Sequence, residues 1–192
     1  PNPWQTDTCV GNWHYNKEIQ YKSPKIVIDM LVDIVSRNGN LLLNFPVKSD
    51  GTLDAEEQKI LAEITAWMAV NSEAIHGTRP WEIFGAGAGT KVSGERGGSF
   101  NERLRKPLTA EDVRFTTKGA TLYAFLMGWP EKQAVIAPLA LGGPQGAGTI
   151  RRVELLGFKG KLSWKQDQSG LTVQMPAQKP CEHVFTLKVT GA

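Results

Sequence analysis

The stretch Asn38-Gly39-Asn40-Leu41-Leu42-Leu43-Asn44-Phe45-Pro46 decides the fold of the N-terminal part of the chain. It contains a turn signal, an apolar run without polar alternation, and a polar residue followed closely by proline. Such a run predicts a buried parallel strand that is covered on both faces, as strands are in α/β folds. In these folds the carboxyl ends of the strands face the functional site, so we expect a site near Asn44.

Amphipathic helices are predicted on both sides of this strand. Ser23 and Pro24 give an N-cap and a first-turn proline, and the apolar spacing after them is helical until Asn38-Gly39. Asp54 and Glu57 form a capping-box pattern that opens a second helix. Because this region offers one convincing strand and nothing to complete its sheet, we expect the missing strands to lie in a preceding part of a longer polypeptide.

Composition excludes several classes of protein. The 192 residues carry a net charge of only +3, and the basic residues are scattered, which argues against a nucleic-acid partner. No apolar run approaches the roughly 18 residues of a transmembrane helix, so we expect no membrane span. Cys9 and Cys181 lie far apart in the sequence, and no His, Cys, Asp or Glu spacing predicts a metal site.

The chain divides into three predicted segments. Residues 1–81 have the α/β pattern, which ends at Thr78-Arg79-Pro80-Trp81. Residues 82–112 are rich in glycine and charge and are predicted to be a linker. Residues 113–192 contain short strands separated by turn signals and predict an antiparallel β-sandwich.

The predicted strands of the sandwich are half-buried. Their expected ranges are 113–117, 122–127, 133–137, 151–156, 162–166, 171–174 and 183–189. The aromatic residues expected in the core are Phe115, Tyr123, Phe125, Trp164 and Phe185.

A series of short motifs runs along nearly the whole chain. In chain order they are Pro3-Trp4-Gln5-Thr6-Asp7-Thr8-Cys9, Trp13-His14-Tyr15, Leu31-Val32-Asp33-Ile34-Val35-Ser36, Asn38-Gly39-Asn40-Leu41-Leu42-Leu43-Asn44, Asp50-Gly51-Thr52-Leu53, Asn71-Ser72-Glu73-Ala74-Ile75-His76-Gly77-Thr78-Arg79-Pro80-Trp81 and Asp112-Val113-Arg114-Phe115-Thr116-Thr117-Lys118-Gly119. Together they resemble the retaining α-L-fucosidases of glycoside hydrolase family 29. The resemblance implies a (β/α)8-like catalytic barrel followed by a C-terminal β-sandwich.

The resemblance also implies a function. The full protein is then expected to hydrolyse terminal α-L-fucosyl residues from glycans without a cofactor. This chain would supply the last part of the barrel and the whole sandwich, and its partner would be the N-terminal barrel portion of the same protein. The compartment stays open, although a glycosidase favours a periplasmic or secreted location.

The catalytic carboxyl groups are expected upstream of Pro1. Retaining hydrolysis needs two carboxyl groups about 5 to 5.5 Å apart, and the resemblance implies that both the aspartate nucleophile and the acid/base precede this chain. Gln5 stands where some relatives have glutamate; it cannot titrate, so it either holds a loop or bonds a sugar hydroxyl. Asp7 is expected in a turn or cap after a presumed strand. Asp29 and Asp33 are expected to be solvated or to hold a neighbouring basic side chain.

Three residues are candidates for substrate binding. The resemblance suggests that Trp13 flanks the fucose pocket, where an indole face can cover the C5 methyl group and the apolar face of a 6-deoxy sugar. Core packing is the alternative for Trp13, and a structural role is the favoured alternative for His14. Phe45 shapes the pocket rim or has a purely architectural role.

The sandwich has two alternative functions. It is either an independent carbohydrate-binding module or a structural domain that braces the barrel. The strand pattern places most aromatic residues inside, which favours bracing, because a binding module needs exposed aromatic side chains.

Overall fold

The computed structural model describes residues 2–90, 107–145 and 147–191. The N-terminal region contains β1 (Trp4–Cys9), α1 (Pro24–Ser36), β2 (Gly39–Asn44) and α2 (Ala55–Asn71). It is followed by a β-sandwich, whose strands are β3 (Arg79–Ala86), β4 (Val113–Lys118), β5 (Thr121–Leu126), β6 (Gln133–Ile136), β7 (Arg152–Leu155), β8 (Trp164–Asp167), β9 (Gly170–Gln174) and β10 (Phe185–Thr190). This is the predicted order of an α/β region before an all-β region.

The two helices begin where the capping signals predict. The Ser23 side chain accepts a hydrogen bond from the backbone N–H of Ile26 at 3.3 Å. At the second helix, Asp54 accepts from the Glu57 N–H at 2.9 Å, and Glu57 accepts from the Asp54 N–H at 3.1 Å, which completes the capping box. These hydrogen bonds therefore confirm the predicted starts of both helices.

The predicted apolar strand, β2, has a parallel neighbour within the chain. Strand β1 pairs with it in register from Trp4 opposite Gly39 to Cys9 opposite Asn44. The expectation that this region contains nothing to pair with its one convincing strand was therefore wrong. Four successive polar residues, Gln5 to Thr8, concealed it, because the sequence offers no apolar run there.

Burial of β2 differs from the prediction. The side chain of Leu43 packs with the helices, whereas Leu42 is 56% exposed. Since successive side chains of a strand point to opposite faces, α1 and α2 cover the face that carries Leu43. The opposite face, which carries Leu42 and its neighbour Asp7 in β1, is uncovered by the described residues.

The sandwich consists of two antiparallel sheets. The first has the order β3-β4-β5-β10-β7 and the second the order β6-β9-β8. An apolar core lies between them, and its buried aromatic members are Phe115 and Phe185. Trp81 and Trp129 pack edge-on against these two rings, with centroid distances of 4.9 and 4.6 Å. The predicted antiparallel sandwich is thus confirmed.

Two details of the predicted sandwich are wrong. His183 was expected in the last strand, but it has φ of 71° and the strand begins at Phe185. Tyr123 and Phe125 were expected in the sandwich core, but they pack with residues of α1 and α2. Alternation in a strand separates two faces but does not tell which of them meets the second sheet.

The predicted linker begins inside a strand. Residues 82–86 belong to β3, which pairs with β4 and forms an edge of the five-stranded sheet. Pro80 and the glycines after it are residues that usually interrupt strands. The strand nevertheless continues, and its pairing register with β4 shifts between Pro80 and Gly85. A Cβ atom at Gly85 would lie 2.4 Å from the Val113 carbonyl oxygen, so only glycine fits there. Residues 91–106 of the expected linker lie outside the described residues.

The five-stranded sheet also joins the sandwich to the helices. The Trp67 indole N–H in α2 donates to the Val184 carbonyl at 2.8 Å, and Thr186 in β10 donates to the Asn71 side chain at 2.7 Å. All four residues are buried. One face of this sheet therefore packs on the second sheet and the other on the α/β region. In the described part of the chain, no helix is both long and apolar enough to cross a membrane.

Candidate functional site

A cleft of about 670 Å³ lies at the carboxyl ends of β1 and β2. The loop after β1 contributes Trp13, His14, Tyr15 and Lys17, and the end of β2 with the loop after it contributes Asn44, Phe45, Pro46, Val47, Lys48, Ser49 and Asp50. Ligand pockets of proteins usually measure about 300–1,000 Å³. The cleft is therefore of suitable size and stands at the edge of a parallel sheet where such sites occur.

Backbone hydrogen bonds join the two ends of the loop after β1. The Lys22 backbone N–H donates to the Val10 carbonyl at 2.7 Å, and the Val10 N–H donates to the Asn44 carbonyl at 3.0 Å. The Tyr21 hydroxyl donates to the Asp54 carboxylate at 2.8 Å, which ties this loop to the start of α2. Burial, and after it the hydrogen bond to Asp54, raises the pKa of Tyr21, so its hydroxyl stays protonated and able to donate.

The loop after β2 is organised by a turn at Asp50. The Asp50 carboxylate accepts from the Thr52 hydroxyl at 2.7 Å and from the Thr52 N–H at 2.9 Å. These bonds, with a smaller contribution from Lys48, hold the pKa of Asp50 below its usual value. Gly51 has φ of 81°, which suits glycine. Asp50 therefore serves the loop, as its turn sequence predicts.

The three predicted substrate-binding residues line the same cleft. Trp13 is 53% exposed, His14 is exposed, and Phe45 is half-buried against Val10 and Ile60. The exposure of the Trp13 side chain argues against core packing within this chain. Their roles toward a substrate remain predictions.

The described lining holds no pair of carboxyl groups. Asp50 is the one carboxylate among these lining residues, and it is engaged by Thr52. Retaining glycoside hydrolysis needs two such groups about 5 to 5.5 Å apart. The lining can thus contribute contacts to a ligand, but by itself it does not supply that chemistry.

Other candidate residues lie away from the cleft lining. Gln5 and Asp7 lie within β1, so Asp7 is not in a loop after the strand as expected. The Asp29 carboxylate pairs with Lys25 at 2.5 Å, and Asp33 pairs with Arg37 at 3.2 Å, as the i, i+4 spacing suggests.

Sequence reasoning missed several polar residues of the cleft. Tyr15, Lys17, Lys48 and Ser49 line it, but none was singled out as a site residue. Their positions in the sequence could have indicated them. Each follows a predicted site residue by only a few positions, in a loop that leaves the carboxyl end of a strand.

Comparisons with known proteins agree with the fold and the motifs. Residues 1–73 match the model of the α-L-fucosidase family, and residues 105–190 match that of the α-L-fucosidase C-terminal domain. The chain belongs to the α-L-fucosidase family. Within that family it corresponds to the end of the catalytic barrel and the C-terminal β-sandwich.

Individual relatives show the same correspondence. The chain is 29% identical to mouse tissue α-L-fucosidase in an alignment of 197 positions that covers 97% of the chain and 38% of that protein. It superposes on the crystal structure of Thermotoga maritima α-fucosidase with a TM-score of 0.73 and 26% identity, covering 98% of this chain and 39% of that one. A further structure of the Thermotoga enzyme, with a TM-score of 0.72, contains fucose. The chain thus spans less than half the length of these relatives.

Proposed function

We propose that this chain is part of a retaining exo-α-L-fucosidase that removes terminal α-L-fucosyl residues from glycans. The observation that carries the proposal is the cleft at the carboxyl ends of β1 and β2, which collects Trp13, His14 and Phe45 in a chain of the fucosidase family. In this proposal, the aspartate nucleophile and the acid/base belong to the barrel portion that precedes the chain. The α/β region before β3 completes the barrel, and strands β3 to β10 form the sandwich domain.

Trp13 and Phe45 give the cleft an apolar surface suited to a 6-deoxy sugar. Fucose carries a methyl group at C5, and burying apolar surface contributes about 25 cal/mol per Å². The exposed indole of Trp13 can cover this methyl group, while Phe45 limits the depth of the cleft. His14, whose ring nitrogens can donate and accept, is proposed to bond a sugar hydroxyl.

The open face of β1 and β2 supports a preceding barrel portion as the partner. The side chain of Leu42 is 56% exposed on that face, although the strand has the composition of a buried one. At the end of the same strand, the Asn44 Nδ2 atom is buried and has no hydrogen-bond partner among the described residues. A buried unpaired donor costs about 1–3 kcal/mol, which favours further protein or substrate groups at this position.

Kinetics of the full-length protein test the proposal. We expect hydrolysis of 4-nitrophenyl α-L-fucoside, and we expect Trp13→Ala to weaken binding of a fucose-mimicking iminosugar about tenfold or more without lowering the melting temperature. Leu141→Ala is the matched control, because Leu141 lies in the sandwich and is 47% exposed. It should change neither quantity.

Two outcomes contradict this proposal. Absence of hydrolysis by a folded full-length protein would overturn the fucosidase function. An unchanged inhibition constant together with a lowered melting temperature for Trp13→Ala would instead assign Trp13 to packing.

For the sandwich we propose a bracing role. Trp81 and Trp129 pack against Phe115 and Phe185 in its core, so these aromatic rings do not form an exposed binding platform. The face that carries Tyr123 is covered by the helices of the α/β region. These contacts favour bracing over an independent carbohydrate-binding module.

A further inference from the structure

Two lysines stand on opposite loops of the cleft. Lys17 follows Trp13 by four positions in the loop after β1, and Lys48 follows Phe45 by three positions in the loop after β2. Lys17 is exposed and Lys48 is half-buried. Each loop therefore contributes one apolar ring and one cation to the same cleft.

Within the described residues, neither ammonium group has an ion-pair partner at 4 Å or less. Asp50, the carboxylate of the lining, already accepts two hydrogen bonds from Thr52. Lys48 lowers the pKa of Asp50 and of Asp54, but in both cases hydrogen bonds contribute more. The ammonium groups thus remain available for a ligand.

The proposed reaction gives these cations no role toward the fucosyl group itself. Fucose is uncharged, and its hydrolysis passes through a transition state with positive charge on the sugar ring. Ammonium groups near that ring would oppose the developing charge. They fit better beside an anionic group on another part of the substrate.

We propose that Lys17 and Lys48 bind an anionic group on the sugar to which the fucosyl residue is attached. This inference rests on the proposed fucosidase function and names its substrate class: fucosylated glycans that carry a sulfate ester or a carboxylate next to the fucose. Both groups present oxygen acceptors that ammonium groups bind as point charges. The aromatic residues of the cleft contact the neutral sugar, and the lysines select its charged neighbour.

Three fucosylated oligosaccharides test the proposal with the full-length protein. The first is neutral, the second carries a sulfate ester on the sugar next to fucose, and the third has a uronic acid at that position. Binding is measured by calorimetry and hydrolysis by fucose release, for the wild type, Lys17→Met, Lys48→Met and the double variant.

Lys159→Met is the matched control. Lys159 is exposed in the β7–β8 loop, where its neighbour Gly157 approaches Val70 near the end of α2. The cleft lies near the start of α2, and a helix of 17 residues is about 25 Å long. This variant removes one exposed lysine at a distance from the cleft.

We expect the wild type to bind an anionic oligosaccharide more tightly than the neutral one. The ratio of the two affinities should fall by up to about fivefold for each lysine removed, as is usual for exposed ion pairs, and 0.5 M salt should reduce it as well. The control should keep the wild-type ratio. A preference for only the sulfated or only the carboxylated compound identifies which anion the site takes.

The two hypotheses fail in different ways. Equal affinity of the wild type for neutral and anionic compounds, or a ratio that the double variant leaves unchanged, overturns the role of the lysines. Charge-selective binding without fucose release from any compound supports the lysine site but contradicts the proposed hydrolysis.

Discussion

The sandwich and the α/β region bury their strands to different extents. Strands β4 and β5 of the sandwich are covered on both faces, by the second sheet and by the helices. Strand β2 of the α/β region has helices on one face, while Leu42 on the other is 56% exposed. Strands β5 and β2 both contain the apolar residues typical of buried strands. The difference teaches that an apolar strand sequence does not by itself say which of its faces the described residues cover.

The largest expected effect concerns the ion pair that joins the two regions. The Arg114 Nε in β4 lies 2.5 Å from the Asp33 carboxylate in α1, and the Arg114 side chain is fully buried. We expect Asp33→Asn to lower the free energy of unfolding by about 3–5 kcal/mol, because it leaves a buried guanidinium without its counter-ion. Urea unfolding of the two proteins checks this value.

Two further variants sharpen this result. Glu154→Gln is the control, since Glu154 pairs with Arg152 at the surface, where both side chains are well exposed; it should cost at most about 1 kcal/mol. Replacing both partners, as Asp33→Leu with Arg114→Met, should recover much of the loss. Similar small costs for Asp33→Asn and Glu154→Gln would show that this pair does not fasten the helix to the sheet.

The second effect tests the open face directly. In the full-length protein we expect Leu42→Ala to lower the free energy of unfolding by about 2–5 kcal/mol, as for a buried leucine. Val135→Ala in the sandwich is the control, because Val135 is 53% exposed and should stay within about 0.5 kcal/mol. Equal and small effects in unfolding experiments would contradict a barrel portion that covers Leu42.

The sequence predicted the structural features that depend on residues close together in the chain. The capping residues Ser23 and Asp54 fixed both helix starts, and the polar end of β2 pointed to the edge of the sheet where the cleft lies. The pair of Asp33 and Arg114 could not be anticipated, because the two residues are 81 positions apart. The assignment of Tyr123 to the sandwich core failed for the same reason: the covering helices precede it by many residues.

The smallest expected effect concerns the cap that connects the cleft loops to α2. Hydrogen bonding from the Glu57 N–H and from the Tyr21 hydroxyl lowers the pKa of Asp54. Its ionised form therefore adds stability above the unfolded pKa of about 3.9, and this contribution is lost as the pH falls through the lower folded value. We expect Asp54→Ala to cost about 0.5–2 kcal/mol at pH 6, the usual cost of losing an N-cap.

Asp54→Asn separates the charge from the hydrogen bonds. Its amide oxygen can still accept from the Glu57 N–H, because asparagine is a good N-cap residue, but it does not titrate. Between pH 6 and pH 3 the wild type should therefore lose more stability than Asp54→Asn in urea unfolding, while the other carboxyl groups titrate in both proteins. Equal losses would mean that the Asp54 carboxylate has the same pKa folded and unfolded. The charge of the Asp54 carboxylate, which connects the Tyr21 loop to α2, would then add nothing to the stability of the folded protein.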